Sequence, residues 1–357
     1  MRRARGLALA LLLGMGAHAR GAAVPAEPAA VTVAQAALVA YDSAVRQFKL
    51  SHGHNVTLQL DDPCPQLLSS PAARPLSAAL DQLATLLDAE ASHPRARPVQ
   101  AAILMRLGRN SDAIACLHEQ VRRYPDDAPA WNLLGIALAR RGAAGDLERR
   151  LDCYRRAAAL APGDATAWAN LCNALGAAGR NEGALEAGRR AVALRPSYVY
   201  AWMNLGVSFG ELGREAEEES AYLAAIRVPP SEERCPFARF NLALLYERQG
   251  RLAQAATWYR DALRVGLPQG PASKQAASFH YNLARALYRQ GTFADSAFEA
   301  AEAARLAPEM PEAASLLGHL FARAGDLDAS RRMFERATAL LEKHGPSRPE
   351  QLARHAE

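Results

Sequence analysis

Lysine is nearly absent from this chain: Lys49, Lys274 and Lys343 are the only lysines among 42 basic residues, and the rest are arginines. Aromatic residues fill only 6% of the 357 positions, and valine and isoleucine are sparse beside alanine and leucine. A pleated sheet favours β-branched and aromatic side chains, whereas alanine and leucine are strong helix formers. The composition therefore excludes a large sheet and predicts helices. Cysteine is scarce too. Cys64, Cys116, Cys153, Cys172 and Cys235 are odd in number and contain no Cys-x-x-Cys, which excludes a disulfide-built scaffold and any zinc-ligand spacing. No uninterrupted apolar run reaches the ~18 residues of a membrane-spanning helix, so no transmembrane segment is expected. What the chain does have is a hydrophobic fraction of 50% over a length ample for a buried core, which excludes disorder as its main state.

Residues 1–23 have the pattern of an address. Arg2, Arg3 and Arg5 precede an apolar run from Leu7 to Met15, and Ala17-His18-Ala19 has the small-x-small form of a cleavage site. Gly21-Ala22-Ala23 is a second candidate. The run is too short to cross a hydrocarbon core of ~30 Å as a helix. A signal peptide is expected over 1–19, with 23 as the latest cleavage point and a linker over 20–30. The protein is then exported, to a bacterial periplasm or secreted, with an organelle lumen as the alternative; the arginine bias, a mark of a GC-rich genome, points to the periplasm. Without residues 1–19 the balance is 39 basic to 37 acidic, so no basic face is available to neutralise phosphates and no nucleic-acid partner is expected.

A repeat dominates the rest of the chain. Gly108, Gly142, Gly179, Gly213, Gly250, Gly291 and Gly325 stand 34 to 41 residues apart. Eleven residues before this glycine comes Trp131, Trp168 or Trp202. Seven before it comes a small residue: Gly135, Cys172, Gly206, Ala243, Ala284 or Gly318. Seventeen after it comes Pro125, Pro196, Pro230 or Pro308, and Pro162 joins them once an insertion after Gly142 is allowed for. The small residue lets a partner helix approach, the glycine ends a first helix, and the proline closes a second. One helix pair cannot bury its apolar stripe alone, so neighbours must stack.

The strings WNLLGIAL, WANLCNAL, WMNLGVSF, FNLALLY and YNLARALY, in this phase with the later alanines and prolines, resemble the tetratricopeptide repeat (TPR) family. The resemblance implies an all-α, right-handed superhelical solenoid of about seven helix-turn-helix units, at 94–127, 128–163, 164–197, 198–231, 236–269, 277–310 and 311–344. Arg97, Arg239, His280 and Ala314 depart from it where tryptophan is usual, and Glu218 and Arg150 where alanine is. Residues 31–91 do not repeat convincingly. Helical stripes (Ala34, Leu38, Tyr41, Val45; then Leu76, Leu80, Leu83, Leu87) flank a short alternating stretch at 55–60, and the segment is expected to cap the first unit, a degenerate repeat being the alternative. Residues 345–357 are a polar tail.

No catalytic, metal-binding or cofactor-binding residue is expected. The chain lacks Gly-x-Ser-x-Gly, a P-loop, a dinucleotide fingerprint and His-Glu-x-x-His. His52 and His54 read as a loop pair, and Glu217-Glu218-Glu219 as a charged outer helix face. The resemblance instead implies binding on the inner groove, lined by the first helix of each unit. There Asn170, Asn204, Asn241 and Asn282 fall nine residues before the glycine in four consecutive units, with Asn173 one turn on. This looks like the asparagine ladder of TPR proteins that hold an extended peptide by its backbone, since a primary amide both donates and accepts. Met203, Phe240, Leu244, Tyr281 and Tyr288 would add apolar contacts, and Arg248, Arg285, Arg289 and Arg323 would favour an acidic segment. Ala169 stands where chaperone-binding TPRs carry lysine, so their carboxylate clamp is incomplete. The expected function is an exported scaffold with an unidentified protein or peptide partner. The alternative is an assembly factor of a polysaccharide- or protein-export complex acting through its convex or C-terminal surface. A homo-oligomer is left open.

Overall fold

The computed structural model describes residues 80–81, 96–228, 235–267 and 274–344. Fourteen helices run through them in seven pairs. They are α1 (Ala96–Arg106) with α2 (Asn110–Arg123), α3 (Ala128–Arg141) with α4 (Asp146–Leu160), α5 (Ala165–Ala177) with α6 (Asn181–Leu194) and α7 (Val199–Glu211) with α8 (Glu215–Arg227). Then come α9 (Pro236–Arg248) with α10 (Leu252–Arg264), α11 (Lys274–Gln290) with α12 (Phe293–Leu306) and α13 (Pro311–Arg323) with α14 (Leu327–His344). Each helix packs on the next in sequence, and first helices also touch across units, as α1 on α3, α5 on α7 and α11 on α13. The fold is an all-α superhelical solenoid, and no strand occurs among the described residues.

Recurrent residues explain the recurrent shape. Gly142 and Gly291 take φ of 62° and 88°, a left-handed turn that any side chain would strain, and so end α3 and α11. Asp127 and Asp164 cap the helices that follow, accepting from Ala130 N at 3.0 Å and Thr166 N at 2.9 Å. Trp131, Trp168 and Trp202 each donate an indole N–H to the carbonyl of the proline six residues earlier, at 2.8–2.9 Å. The tryptophan thus fixes the angle at which one unit enters the next. Within a pair, Tyr154 closes over Gly135, Tyr222 over Gly206 and Phe334 over Gly318. Behind these contacts Leu117, Leu134, Leu138 and Leu151 are fully buried, each adding roughly 1.5–3 kcal/mol of apolar burial.

In two of the four units that lack the tryptophan, polar pairs join the two helices. Arg239, 5% exposed, donates Nε to Asp261 of α10 at 2.6 Å and Nη1 to the Cys235 carbonyl at 3.3 Å. His280 Nδ1 lies 2.6 Å from Glu299 of α12. The insertion after Gly142 is closed by Asp146, which accepts from Ala143 N and from both Nε and Nη2 of Arg141. One expectation is corrected. Glu218 is not on an outer face but 2% exposed, because Gly210 opposite it has no side chain; a Cβ there would lie 2.8 Å from the carboxylate.

Of the segment 31–91 only Leu80 and Asp81 are described; both are helical, and Leu80 is buried in the same core cluster as α1. The expected signal peptide 1–19, linker 20–30, cap residues other than these two, His52, His54, Cys64 and tail 345–357 lie outside the described residues. Among those described, no helix is long and apolar enough to cross a membrane, and no three His, Cys, Asp or Glu side chains cluster as metal ligands.

Candidate functional site

The four ladder asparagines do not share one environment. Asn170 is 7% exposed and donates Nδ2 to Oδ1 of Asn132 at 2.9 Å, tying α5 to α3. Asn204 is 8% exposed and donates to the Ala169 carbonyl at 3.1 Å, tying α7 to α5. These two amides are stitches between successive first helices. Asn282 turns inward on its own helix, donating to the Ser278 carbonyl at 2.8 Å, and remains half-buried. Asn241 is half-buried, and Asn173 is exposed on α5.

The apolar residues divide as well. Met203 and Leu244 are half-buried and lean on one core cluster, while Tyr281 and Tyr288 lean on the next. Each rests on the core and keeps part of its surface open, which suits a contact face. Phe240 is drawn into packing instead: its ring stacks on Phe279 with centroids 4.1 Å apart and tilts against Tyr259 at 5.3 Å. Sequence reasoning missed Val207, one turn after Met203 on α7 and 43% exposed, a large apolar side chain left in water.

The arginines are largely engaged by buried carboxylates. Glu247, 3% exposed near the end of α9, accepts from Nε and Nη2 of Arg285 at 2.9 and 3.0 Å, from Nη1 of Arg289 at 3.1 Å and from the Tyr259 hydroxyl at 2.9 Å. Burial alone raises a carboxyl pKa; here the Arg285 hydrogen bonds and charge, with Tyr259 and Arg289, outweigh it and hold Glu247 below the usual carboxylate range. Arg248 reaches a second buried acid, Glu218, at 2.5 Å. Burial dominates at Glu218 against this one arginine, so its carboxyl lies above the usual range. Arg323 lies 3.9 Å over the Phe293 ring with its own side chain exposed.

Two cations on one buried anion leave the Glu247 cluster with one positive charge in excess, carried toward solvent by Arg289, whose side chain is 49% exposed. Glu247 was not distinguishable by sequence from an ordinary surface acid, whereas Glu218 was marked only by standing where the repeat usually has alanine. The face can therefore offer apolar patches, the amides of Asn241 and Asn282, and a modest positive potential. Among the described residues it brings together no nucleophile and base.

The tetratricopeptide repeat profile matches residues 99–165, 170–237, 231–273 and 271–311. Among solved structures the fold resembles that in the APC/C hetero-tetramer Cut9–Hcn1, with a TM-score of 0.56 and 14% identity over 74% of this chain and 50% of that one. It resembles yeast Tom70 with a TM-score of 0.54 and 15% identity over 76% and 56%, and Pseudomonas aeruginosa PilF with 0.52 and 19% over 64% and 97%. At these identities the likeness is one of fold. The chain spans about half the length of the first two. No curated protein matches it in sequence.

Proposed function

The chain belongs to the tetratricopeptide repeat family, and from that premise we propose that it is a protein-interaction scaffold holding an extended peptide segment along the concave face of its last four units. Proteins of this family mediate protein–protein interaction, and scaffolds of this type are typically not enzymes. A stacked array presents the first helices as one continuous surface, wide enough for a chain segment rather than a small molecule. One similar fold was solved as a hetero-tetramer, Cut9–Hcn1, which fits this reading.

The observation that carries the proposal is the row of half-open apolar side chains, Met203, Leu244, Tyr281 and Tyr288, on three successive first helices. Asn241 and Asn282 on two of those helices supply amides for a peptide backbone, and Asn173 extends the row onto α5. Asn170 and Asn204 contribute by holding the helices in register. Arg289 and Arg323 bias the face toward an acidic segment, while Arg248 and Arg285 are occupied by Glu218 and Glu247 and act as supports. The basic, apolar and small-residue pattern of 1–19 supports an exported setting for this role.

The test is selection of peptides from a random library on the purified chain, followed by calorimetric titration of the best peptide. A Leu244→Glu substitution, half-buried and on the proposed face, is expected to weaken binding by at least about tenfold, a loss of ~1.4 kcal/mol. Its circular dichroism should match the wild type. Unchanged affinity in the folded variant would remove the concave face as the site.

A further inference from the structure

The far side of α14 is a face built to be covered. In the 34-residue register of the last two units, Leu327, Arg331, Phe334 and Thr338 on α14 stand where α12 has Phe293, Ala297, Ala300 and Ala304. On α12 that stripe packs into a cluster shared by α11 and α13: Ala300 is fully buried, and the other three are partly buried against it. On α14 it is bare. Leu327 is 71% exposed, and an open trough of about 560 Å³ runs along the helix past Phe334 and Ala339 to Glu342.

We propose that this face is a homodimer interface, with α14 of one protomer lying antiparallel on α14 of a second copy about a two-fold axis level with position 333, whose own side chain packs inward against the α13 cluster. The order of charges along the stripe selects this occupant. Arg331 and Glu335 are one helical turn apart, 77% and 66% exposed, and meet each other at only 3.5 Å, a pair weak enough to exchange. An antiparallel copy centred between them sets Arg331 opposite the partner's Glu335, and symmetry repeats the contact. Leu327 then meets the partner's Ala339, and Phe334 lies beside the axis. A parallel copy would instead oppose Arg331 to itself. The stripe is thus self-complementary in one orientation, as an interface between identical chains requires.

Two other segments of the chain fit the face poorly. Leu80 packs beside α1 at the opposite end of the array, and residues 345–357 carry Leu352 as their one large apolar side chain. A helix of 18 residues is about 27 Å long and roughly 10 Å wide, so each protomer offers a few hundred Å² and the dimer is of the weak, concentration-dependent class.

Sedimentation velocity of the full chain over a wide concentration range tests this. The wild type is expected to pass reversibly from monomer to dimer. Arg331→Glu and Glu335→Arg, each placing like charges together twice, should each raise the dissociation constant at least about tenfold. The double exchange, R331E with E335R, should restore it to near the wild-type value. Both side chains are exposed, so the helical circular dichroism should not change in any variant. A wild type that stays monomeric throughout, single variants that dimerise unchanged, or a double variant that fails to recover would each overturn the proposal.

Discussion

Arg285 of α11 grips Glu247 of α9 with two parallel hydrogen bonds, from Nε at 2.9 Å and Nη2 at 3.0 Å, across 38 positions of sequence. The carboxylate is nearly inaccessible to water, so the pair couples the fifth unit to the sixth beneath the surface proposed to bind peptide. A fork-to-fork contact of this kind fixes direction as well as distance.

Removing the carboxylate should therefore cost more than removing a surface acid. Glu247→Ala leaves Arg285 and the Tyr259 hydroxyl facing each other without their shared acceptor. Breaking a buried pair in this way costs about 3 kcal/mol, read as a lowered urea midpoint. A loss below about 1 kcal/mol would place the pair with ordinary surface bridges.

The same pair sets a pH dependence. The Glu247 carboxyl is held below its unfolded value, so its contribution is complete above the ordinary carboxylate range and disappears as pH falls through the lower folded value. Glu218 acts in the opposite sense: raised by burial, it takes up a proton in the folded state first, so its protonation favours folding as pH begins to fall. Thermal unfolding from neutral to acid pH should show a steeper acid loss in wild type than in Glu247→Gln. Parallel acid limbs would remove Glu247 as a source of it.

The ladder asparagines should separate into two classes of mutant. Asn204→Ala deletes a buried inter-helix hydrogen bond and should destabilise by about 1 kcal/mol. Asn241→Ala should leave the unfolding midpoint nearly unchanged and weaken peptide binding. The reverse assignment, with Asn204 silent in stability, would contradict the stitching role read from its bond to the Ala169 carbonyl.

Gly206 should tolerate no side chain. A Cβ there would meet the Tyr222 ring at 2.5 Å, and that ring is itself 3% exposed and cannot swing into water. Gly206→Ala should cost about 1–3 kcal/mol by overpacking, and Tyr222→Leu in the same chain should recover part of it. Additive losses would exclude the contact as the cause.

The thiols of the array should be inert. Burial pushes Cys153 up to about 12 and Cys172 up to about 11, while Cys116, half-buried, is pushed up to about 11. The thiolate is the reactive form, so brief alkylation of the native protein at neutral pH should leave Cys153 and Cys172 unmodified in a peptide map, and denaturation should release both.

The repeat was legible because its signals are local: a glycine that must turn left-handed, a tryptophan and a proline lie close in sequence and keep a fixed phase. The candidate site was legible only in outline. Asn170 and Asn241 occupy the same place in the repeat, yet one is consumed by Asn132 of the preceding unit while the other stays half-open. That difference follows from the preceding first helix: 38 positions before Asn170 stands Asn132, an amide acceptor, while 38 before Asn241 stands Met203, so the pairing is read only by comparing units. Glu247 was invisible for a related reason, and Glu218 showed only as an acid in a place that usually holds alanine. Acids are ordinarily solvated, and only the packing of α7 on α8 and of α9 on α11 reveals a glycine gap beside one and an arginine fork on the other.

The central claim is that the face carrying Leu244 holds the peptide. A photo-crosslinking side chain placed in turn at Leu244 on α9 and at Phe298, which is 66% exposed on the second helix α12, tests it directly with a library-selected peptide. Crosslinking at position 244, competed by unlabelled peptide, with none at 298 is the predicted result. Capture at 298 with none at 244 would contradict the account and move binding to the outer surface.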